Sequence, residues 1–109
     1  MVDPGAGTFR PPRFAIEASR EPAGRVVLAL SGELDLVTEP QLAAALDEAA
    51  GQPVRIDLSE LAFMDSTGLR ALLAAAREVP GLELTGPLQP PVRRLLELTQ
   101  TLAILPFTD

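Results

Sequence analysis

The chain has 109 residues, the size of one domain, and its 47% hydrophobic and 22% charged residues are typical of a globular protein. Histidine and cysteine are both absent, which excludes disulfides, thiolate catalysis, thiolate zinc sites and the commonest general base, so we expect neither a metal nor a cofactor. The net charge of −6 argues against nucleic acid or an anionic membrane as the partner, because both attract a surplus of Lys and Arg, and it favours a basic or neutral protein.

Residues 1–12 differ in composition from the rest of the chain. They hold three of the eleven prolines, two glycines and few apolar side chains, so we predict a flexible N-terminal leader over residues 1–12 and one domain over residues 13–109. The leader lacks the charged-then-apolar order of a signal peptide, and no apolar run reaches the roughly 18 residues that span a bilayer. These features predict a cytoplasmic protein.

The domain is predicted to begin with two strands. Apolar residues alternate over residues 13–19, a turn is indicated over residues 21–24, and a continuous apolar run covers residues 26–30. The short turn predicts an antiparallel hairpin. The continuous run predicts that the second strand is covered on both faces.

A helix and a third strand should follow. Thr38 and Gln41 have the spacing of a capping box, and Pro40 suits the first helical turn, so the helix is predicted to begin there. From Val54 the sequence alternates again, which predicts a strand. A strand, a helix and a strand in this order form a right-handed βαβ unit with parallel strands.

The remaining residues complete an α/β pattern. A second helix follows Gly68, a short strand is predicted over residues 81–85, and Pro90 and Pro91 open a third helix. Residues 102–105 are either a last strand or an apolar tail packed on the sheet. The predicted fold is a mixed sheet of four or five strands, with the first strand antiparallel and helices after the second, third and fourth.

The most informative stretch is IDLSELAFMDSTG, residues 56–68. Here an alternating strand ends in a carboxylate, two hydroxyls and a glycine, directly before an amphipathic helix. Ser66 and Thr67 should therefore lie at a helix N-terminus, where backbone N–H groups and the helix dipole favour a phosphate. The alternative is that Ser66 or Asp65 serves only as a helix cap.

A second loop should lie beside this stretch. The carboxyl ends of parallel strands meet at one edge of a sheet, and function gathers there. The loop after the second strand carries Glu33 and Asp35, so two carboxylates and the hydroxyl pair should share one surface with Leu34, Leu36 and Met64.

The sequence resembles a known family along three runs. GELDLVTEPQLAAAL, VRIDLSELAFMDSTGLRALL and PPVRRLLELTQTLAIL together are similar to a STAS domain of the bacterial anti-sigma factor antagonist type, from about Phe14 to the C-terminus. The most specific signature is D-S-[ST]-G-L after the IDLS strand. The resemblance implies a STAS-like fold and a protein that binds an anti-sigma factor serine kinase, so that the sigma factor is released in a stress response.

The resemblance also implies roles for individual residues. Ser66 would be the phosphoacceptor, and Asp65, Thr67 and Gly68 would shape its loop. Phosphorylation would switch off binding to the kinase, a phosphatase would restore it, and the free protein would be a monomer. The residues implied in partner binding are Gly32, Glu33, Leu34, Asp35 and Met64.

Two alternatives to a free antagonist remain. An enzyme with Ser66 as its nucleophile would need a positioned base, but the chain has neither histidine nor lysine, and DSTG differs from the G-x-S-x-G elbow. The other alternative is a STAS module that acts as a scaffold in a larger signalling assembly.

Overall fold

The computed structural model describes residues 13–108, so the predicted leader over residues 1–12 lies outside the described residues. The elements in chain order are β1 (Phe14–Arg20), β2 (Val26–Leu34), α1 (Glu39–Glu48), β3 (Val54–Met64), α2 (Ser66–Glu78), β4 (Glu83–Thr85) and α3 (Pro90–Leu98). The strands form a sheet in the order β1-β2-β3-β4, with β1 antiparallel to β2 and the other pairs parallel. The predicted α/β fold with a mixed sheet is confirmed.

One face of the sheet forms the core. Leu28, Ile56 and Leu84 lie side by side on β2, β3 and β4 and are buried. They belong to a single cluster with buried side chains of all three helices, such as Leu72 and Leu96. Each such side chain removed from water contributes about 1.5–3 kcal/mol, so this face holds the helices on the sheet.

The other face of the sheet is half-exposed. Val27 and Ala29 alternate with the buried positions of β2 but are only partly covered. The prediction that β2 is covered on both faces is therefore wrong: β2 is interior because strands pair with both of its edges, not because both faces enter the core. Val27 lies in register with Arg55, and Arg55 with Glu83, so this row of the sheet is largely polar.

Ion pairs join the strands on this half-exposed face. Arg55 donates to Glu83 through Nη2 at 3.0 Å and to Glu21 through Nη1 at 2.6 Å, and Arg25 also pairs with Glu83. The hydrogen bonds from Arg55 lower the pKa of Glu83, the partial burial of its carboxylate opposes them, and Arg25 adds to the lowering, so the pKa lies below its usual value.

The start of α1 differs from the predicted capping box. Thr38 is the N-cap, as predicted, but its side chain does not cap the helix. Its hydroxyl donates to the carbonyl oxygen of Glu33 at 2.7 Å and accepts from the N–H of Asp35 at 3.0 Å, because Thr38 has a helical backbone conformation that turns its side chain back to the preceding loop. The capping-box prediction is therefore wrong, and Thr38 closes the loop before the helix.

The C-terminal residues pack on the sheet as an apolar tail. Leu105 is buried in the core, and residues 102–105 lie in a turn and not in a strand. Further on, Phe107 forms an isolated parallel bridge with Leu84. Of the two alternatives predicted for residues 102–105, the structure confirms the tail.

Candidate functional site

The ends of β2 and β3 lie side by side. Leu34 pairs with Met64 and Glu33 with Phe63, and the N–H of Asp65 donates to the carbonyl oxygen of Leu34 at 3.3 Å. Both strands are longer than predicted, but the predicted neighbourhood of the two loops is present. We call residues 32–37 and 63–68 the carboxyl edge.

A bulge in β3 determines which side chains reach this edge. Leu58 and Leu61 are both buried although they are three residues apart, so the alternation of β3 is interrupted between them. The register between β2 and β3 shifts twice, and the carboxylate of Asp57 accepts the N–H of Ser59 at 2.9 Å within the irregular segment. The shifts place Phe63 beside Glu33, where its ring is 45% exposed.

Asp65, not Ser66, caps helix α2. The backbone of Asp65 is extended, and its Oδ1 accepts the N–H of Gly68 at 3.0 Å. Ser66 is the first residue of the helix, and its side chain is exposed. Of the two capping alternatives, the structure therefore selects Asp65, and the Ser66 hydroxyl is not needed to hold the helix end.

Gly68 allows α2 to approach β2 closely. A Cβ atom at this position would lie 2.4 Å from the carbonyl oxygen of Leu34 and 2.7 Å from Cγ of Met64. Real Cβ atoms do not come so near other heavy atoms, so the first turn of α2 rests directly on the end of β2. This contact fixes the position of Ser66 relative to the loop that follows β2.

Asp35 holds the loop after β2 together. Asp35 is only 6% exposed, and its Oδ1 accepts the N–H groups of Val37 at 3.0 Å and Thr38 at 3.1 Å. Its Oδ2 pairs with the guanidinium of Arg13, which also lies 3.4 Å from Glu33 Oε1. This arrangement turns Leu36 and Val37 outward, where they are 72% and 69% exposed.

The same contacts keep Asp35 ionised. Burial by itself raises the pKa of Asp35, but the hydrogen bonds from the backbone and hydroxyl of Thr38, the positive charge of Arg13 and the N–H of Val37 outweigh that effect. The net pKa therefore lies below its usual value. Asp35 is therefore a charged residue that stabilises the conformation of the loop.

A comparison with known protein families gives a match over most of the domain. Residues 18–105 match the family described as "Mlab, STAS domain". The chain belongs to the STAS domain family. Within residues 13–108 of this STAS domain, no helix is long and apolar enough to cross a membrane.

Individual relatives are similar to this STAS domain along most of their length. The anti-sigma F factor antagonist of Paenibacillus polymyxa is 32% identical over 93 residues, which are 79% of this chain and 80% of that protein. The crystal structure of an anti-sigma factor antagonist from Mycobacterium paratuberculosis superposes with a TM-score of 0.78 at 29% identity and covers 93% of this chain and 91% of that one.

The anti-sigma factor antagonist SpoIIAA is similar in two states. Its unphosphorylated form has a TM-score of 0.68 at 26% identity and covers 87% of each chain. The phosphorylated form of the Bacillus protein has a TM-score of 0.63 at 25% identity and covers 87% of this chain and 90% of that one. The predicted resemblance to STAS domains of the anti-sigma factor antagonist type is thereby confirmed.

The STAS domain places the predicted site residues in two different environments. Ser66 and Glu33 are exposed, and Gly32 and Thr67 are half-buried. In contrast, Leu34 and Met64 belong to the hydrophobic core, and Asp35 is enclosed by its own loop. Leu34, Asp35 and Met64 therefore support the carboxyl edge from the interior of the domain. A partner that approaches this edge would contact its exposed side chains instead.

The apolar side chains that the carboxyl edge exposes are Leu36, Val37 and Phe63. Leu36 was predicted to lie on this surface, whereas Val37 and Phe63 were not among the predicted site residues. The sequence carries a usable signal for the first two, because Asp35 and Thr38 have the spacing of a side-chain-closed turn, which leaves the two residues between them at its tip. Phe63 has no such signal: alternation from Val54, Ile56 and Leu58 puts it on the face opposite the core, but nothing near it in the sequence shows that this aromatic side chain is exposed.

The start of α2 presents backbone donors beside Ser66. The first N–H groups of α2 have no carbonyl partner within the helix, and the helix dipole adds positive potential near Ser66. Across residues 13–108 there is no group of three or more acidic side chains placed to hold a metal ion. The edge thus offers an exposed hydroxyl, backbone donors and an apolar surface.

Proposed function

We propose that this protein is an anti-sigma factor antagonist that binds an anti-sigma factor serine kinase and loses this binding when the kinase phosphorylates Ser66. The sigma factor is released while the unmodified antagonist holds the kinase. The observation that carries the proposal is the exposed Ser66 hydroxyl at the first position of α2, beside exposed Leu36, Val37 and Phe63. The names of the similar proteins support the functional class.

The local geometry favours Ser66 as the phosphoacceptor. A kinase needs an accessible hydroxyl, and the helix does not need that hydroxyl because Asp65 provides the cap. A phosphate of about −1.5 to −2 charges at this position lies near the positive end of the helix dipole, which offsets part of its repulsion from Asp65. The fold should therefore tolerate the modification. SpoIIAA, which is similar to this chain in both its forms, is consistent with that expectation.

The phosphate should lower the affinity for the kinase more than it lowers the stability of the fold. Leu36, Val37 and Phe63 offer an apolar contact area, and Glu33 adds an exposed carboxylate at its margin. Burying a dianion in such an interface costs several kcal/mol unless the partner neutralises it. A 100-fold loss of affinity corresponds to only about 2.7 kcal/mol, so the switch needs no large conformational change.

The protein acts in this scheme by binding and not by catalysis. Ser66 would need a base to become a nucleophile, and the chain has neither histidine nor lysine. We place the protein in the cytoplasm as a monomer when free, with a phosphatase that removes the phosphate and returns it to the active state. If it were instead a scaffold in a larger assembly, phosphorylation of Ser66 would leave its affinity for the kinase unchanged.

The test is a phosphorylation assay with the cognate anti-sigma factor kinase and ATP, read by mass spectrometry. We expect one phosphate per chain on the wild-type protein, none on Ser66→Ala, and one on the matched control Thr67→Ala. Circular dichroism shows whether the variants fold. A phosphate that maps to Thr67, or an unmodified wild-type protein, would refute the assignment of Ser66.

A further inference from the structure

A groove between α1 and α2 forms a second surface on the domain. It has a volume of about 650 Å³, and most of its lining is apolar, with Leu42 and Leu46 of α1 and small side chains such as Ala71 and Ala75 of α2. Its far end lies at Glu78, twelve residues after Ser66 and therefore about 18 Å along the helix axis. The groove is thus distinct from the carboxyl edge.

The charges along this groove are all negative. Glu39, Asp47 and Glu78 line it, and no arginine does. Within residues 13–108, none of these three carboxylates takes part in an ion pair. Arg77 neighbours Glu78 in the sequence but is not part of the lining. An apolar groove with unpaired carboxylates offers attraction to a positively charged ligand that has an apolar side.

The helix ends strengthen this negative potential. Asp47 lies in the last turn of α1 and Glu78 is the last residue of α2, so both carboxylates stand where the helix dipoles add negative partial charge. The last turn of α1 contains no basic residue to offset this, whereas the last turn of α2 contains Arg77. Each carboxylate placed there costs stability, which a bound cation would recover.

We propose that this groove binds a basic amphipathic helix of a partner protein, with an apolar face on the groove and Arg or Lys side chains on the three carboxylates. The small side chains along the groove let a helix approach closely, as in other helix-in-groove complexes. Complementary charge selects the partner and raises the association rate. A second copy of this chain is disfavoured because each copy carries a net charge of −6.

The location of the groove gives it a role beyond the proposed Ser66 switch. Surface charges further apart than about 8 Å are largely screened at physiological salt, and Asp47 and Glu78 lie in the last turns of α1 and α2, with Glu78 about 18 Å from Ser66. The contacts of a partner with Asp47 and Glu78 should therefore be equally strong in the unmodified and the phosphorylated protein. Such a partner would stay bound in both states of the switch.

The experiment titrates the full-length ¹⁵N-labelled protein with a synthetic helical peptide of about 14 residues, Leu and Ala on one face and Arg on the other. The control peptide has Glu in place of Arg. We expect amide shifts confined to the groove, including Ala43 and Ala74, and binding only of the Arg peptide. Asp47→Lys combined with Glu78→Lys should weaken binding about tenfold or more, since each exposed ion pair contributes up to about 1 kcal/mol. Phosphorylated protein should bind equally well.

A matched variant separates a specific groove contact from general attraction to an acidic protein. Glu48→Lys makes the same charge change at the residue next to Asp47, on the same helix, but Glu48 does not line the groove. We expect Glu48→Lys to weaken binding about twofold at most, because residue 48 would make no direct contact with the peptide and its charge is screened by solvent. All three positions are exposed, so the variants should fold, and the peptide pair tests the charge argument on the wild-type protein as well.

Several results would overturn the proposal. These are no binding of the Arg peptide, shifts centred on Leu36 and Phe63, equal binding of the Glu peptide, or an equal loss for Glu48→Lys. Contacts between Phe9 and the groove without peptide would show that the leader occupies it, and groove shifts that depend on protein concentration would show that a second copy does. Either finding would replace the partner helix as occupant.

Discussion

Replacing Gly68 with alanine adds one methyl group where α2 rests on the end of β2. The new Cβ would lie 2.4 Å from the carbonyl oxygen of Leu34, which is backbone and cannot move without shifting β2, and 2.7 Å from Cγ of Met64. Helix propensity alone predicts the opposite sign, because alanine in a helix interior is favoured over glycine by about 1 kcal/mol. The two effects therefore compete, and the structure determines which is larger.

The steric cost should exceed the gain in propensity. Inserting extra atoms into a packed region typically costs about 1–3 kcal/mol, and an approach of 2.4 Å to a rigid carbonyl group puts the cost here in the upper part of that range, about 2–3 kcal/mol. After subtraction of the helix gain, Gly68→Ala should lower the free energy of unfolding by about 1–2 kcal/mol. The melting temperature should fall by about 4–8 °C for each kcal/mol.

Urea denaturation followed by circular dichroism measures this effect. We expect a lower midpoint with an unchanged slope, since the folded and unfolded states should expose similar areas. The matched control is Ser66→Ala, which changes an exposed residue in the same helical turn and should alter stability by about 0.5 kcal/mol at most. A Gly68→Ala variant as stable as the wild type, or more stable, would refute the close packing of α2 on β2.

Two other predictions concern the carboxylates and the apolar surface. Asp35 and Glu83 have lowered pKa values in the folded state, so their contribution to stability is complete above their ordinary values of 3.8 and 4.5 and is lost as the pH falls through the lower folded values. Urea midpoints should therefore drop between pH 7 and pH 3 less steeply in Asp35→Asn and Glu83→Gln than in the wild type; parallel curves would contradict the ion pairs. Phe63→Ala should weaken kinase binding about tenfold or more, as expected for a central aromatic contact. Leu98→Ala, which changes an even more exposed apolar residue at the end of α3, should not; equal losses, measured by titration calorimetry, would contradict the assigned surface.

Local sequence patterns were sufficient for the order and type of the elements. The alternation from Val54 and the change to a helical pattern after Gly68 depend on which side chains face the core, and each is visible within a short window of sequence. The start of α2 was also predictable, because Asp65 and Ser66, both of residue types favoured as helix caps, lie directly before the helical pattern.

Long-range contacts account for what the sequence did not reveal. Arg13 and Asp35 are 22 positions apart, so the ion pair that holds the loop after β2 leaves no local pattern. The register shifts that place Phe63 beside Glu33 depend on how two strands pair, and the half-exposed face of β2 looked buried because Val27 and Ala29 are apolar. Which residue caps α2 was likewise decided by the geometry of Asp65 and not by the sequence.

The most direct test of the proposed switch compares the affinity of two forms of this protein for its anti-sigma factor kinase. Titration calorimetry of unmodified protein and of protein phosphorylated stoichiometrically on Ser66 gives both dissociation constants under one salt condition. We predict that the phosphorylated form binds about 100-fold more weakly or worse, which corresponds to about 2.7 kcal/mol or more. Equal affinities for the two forms would contradict the switch.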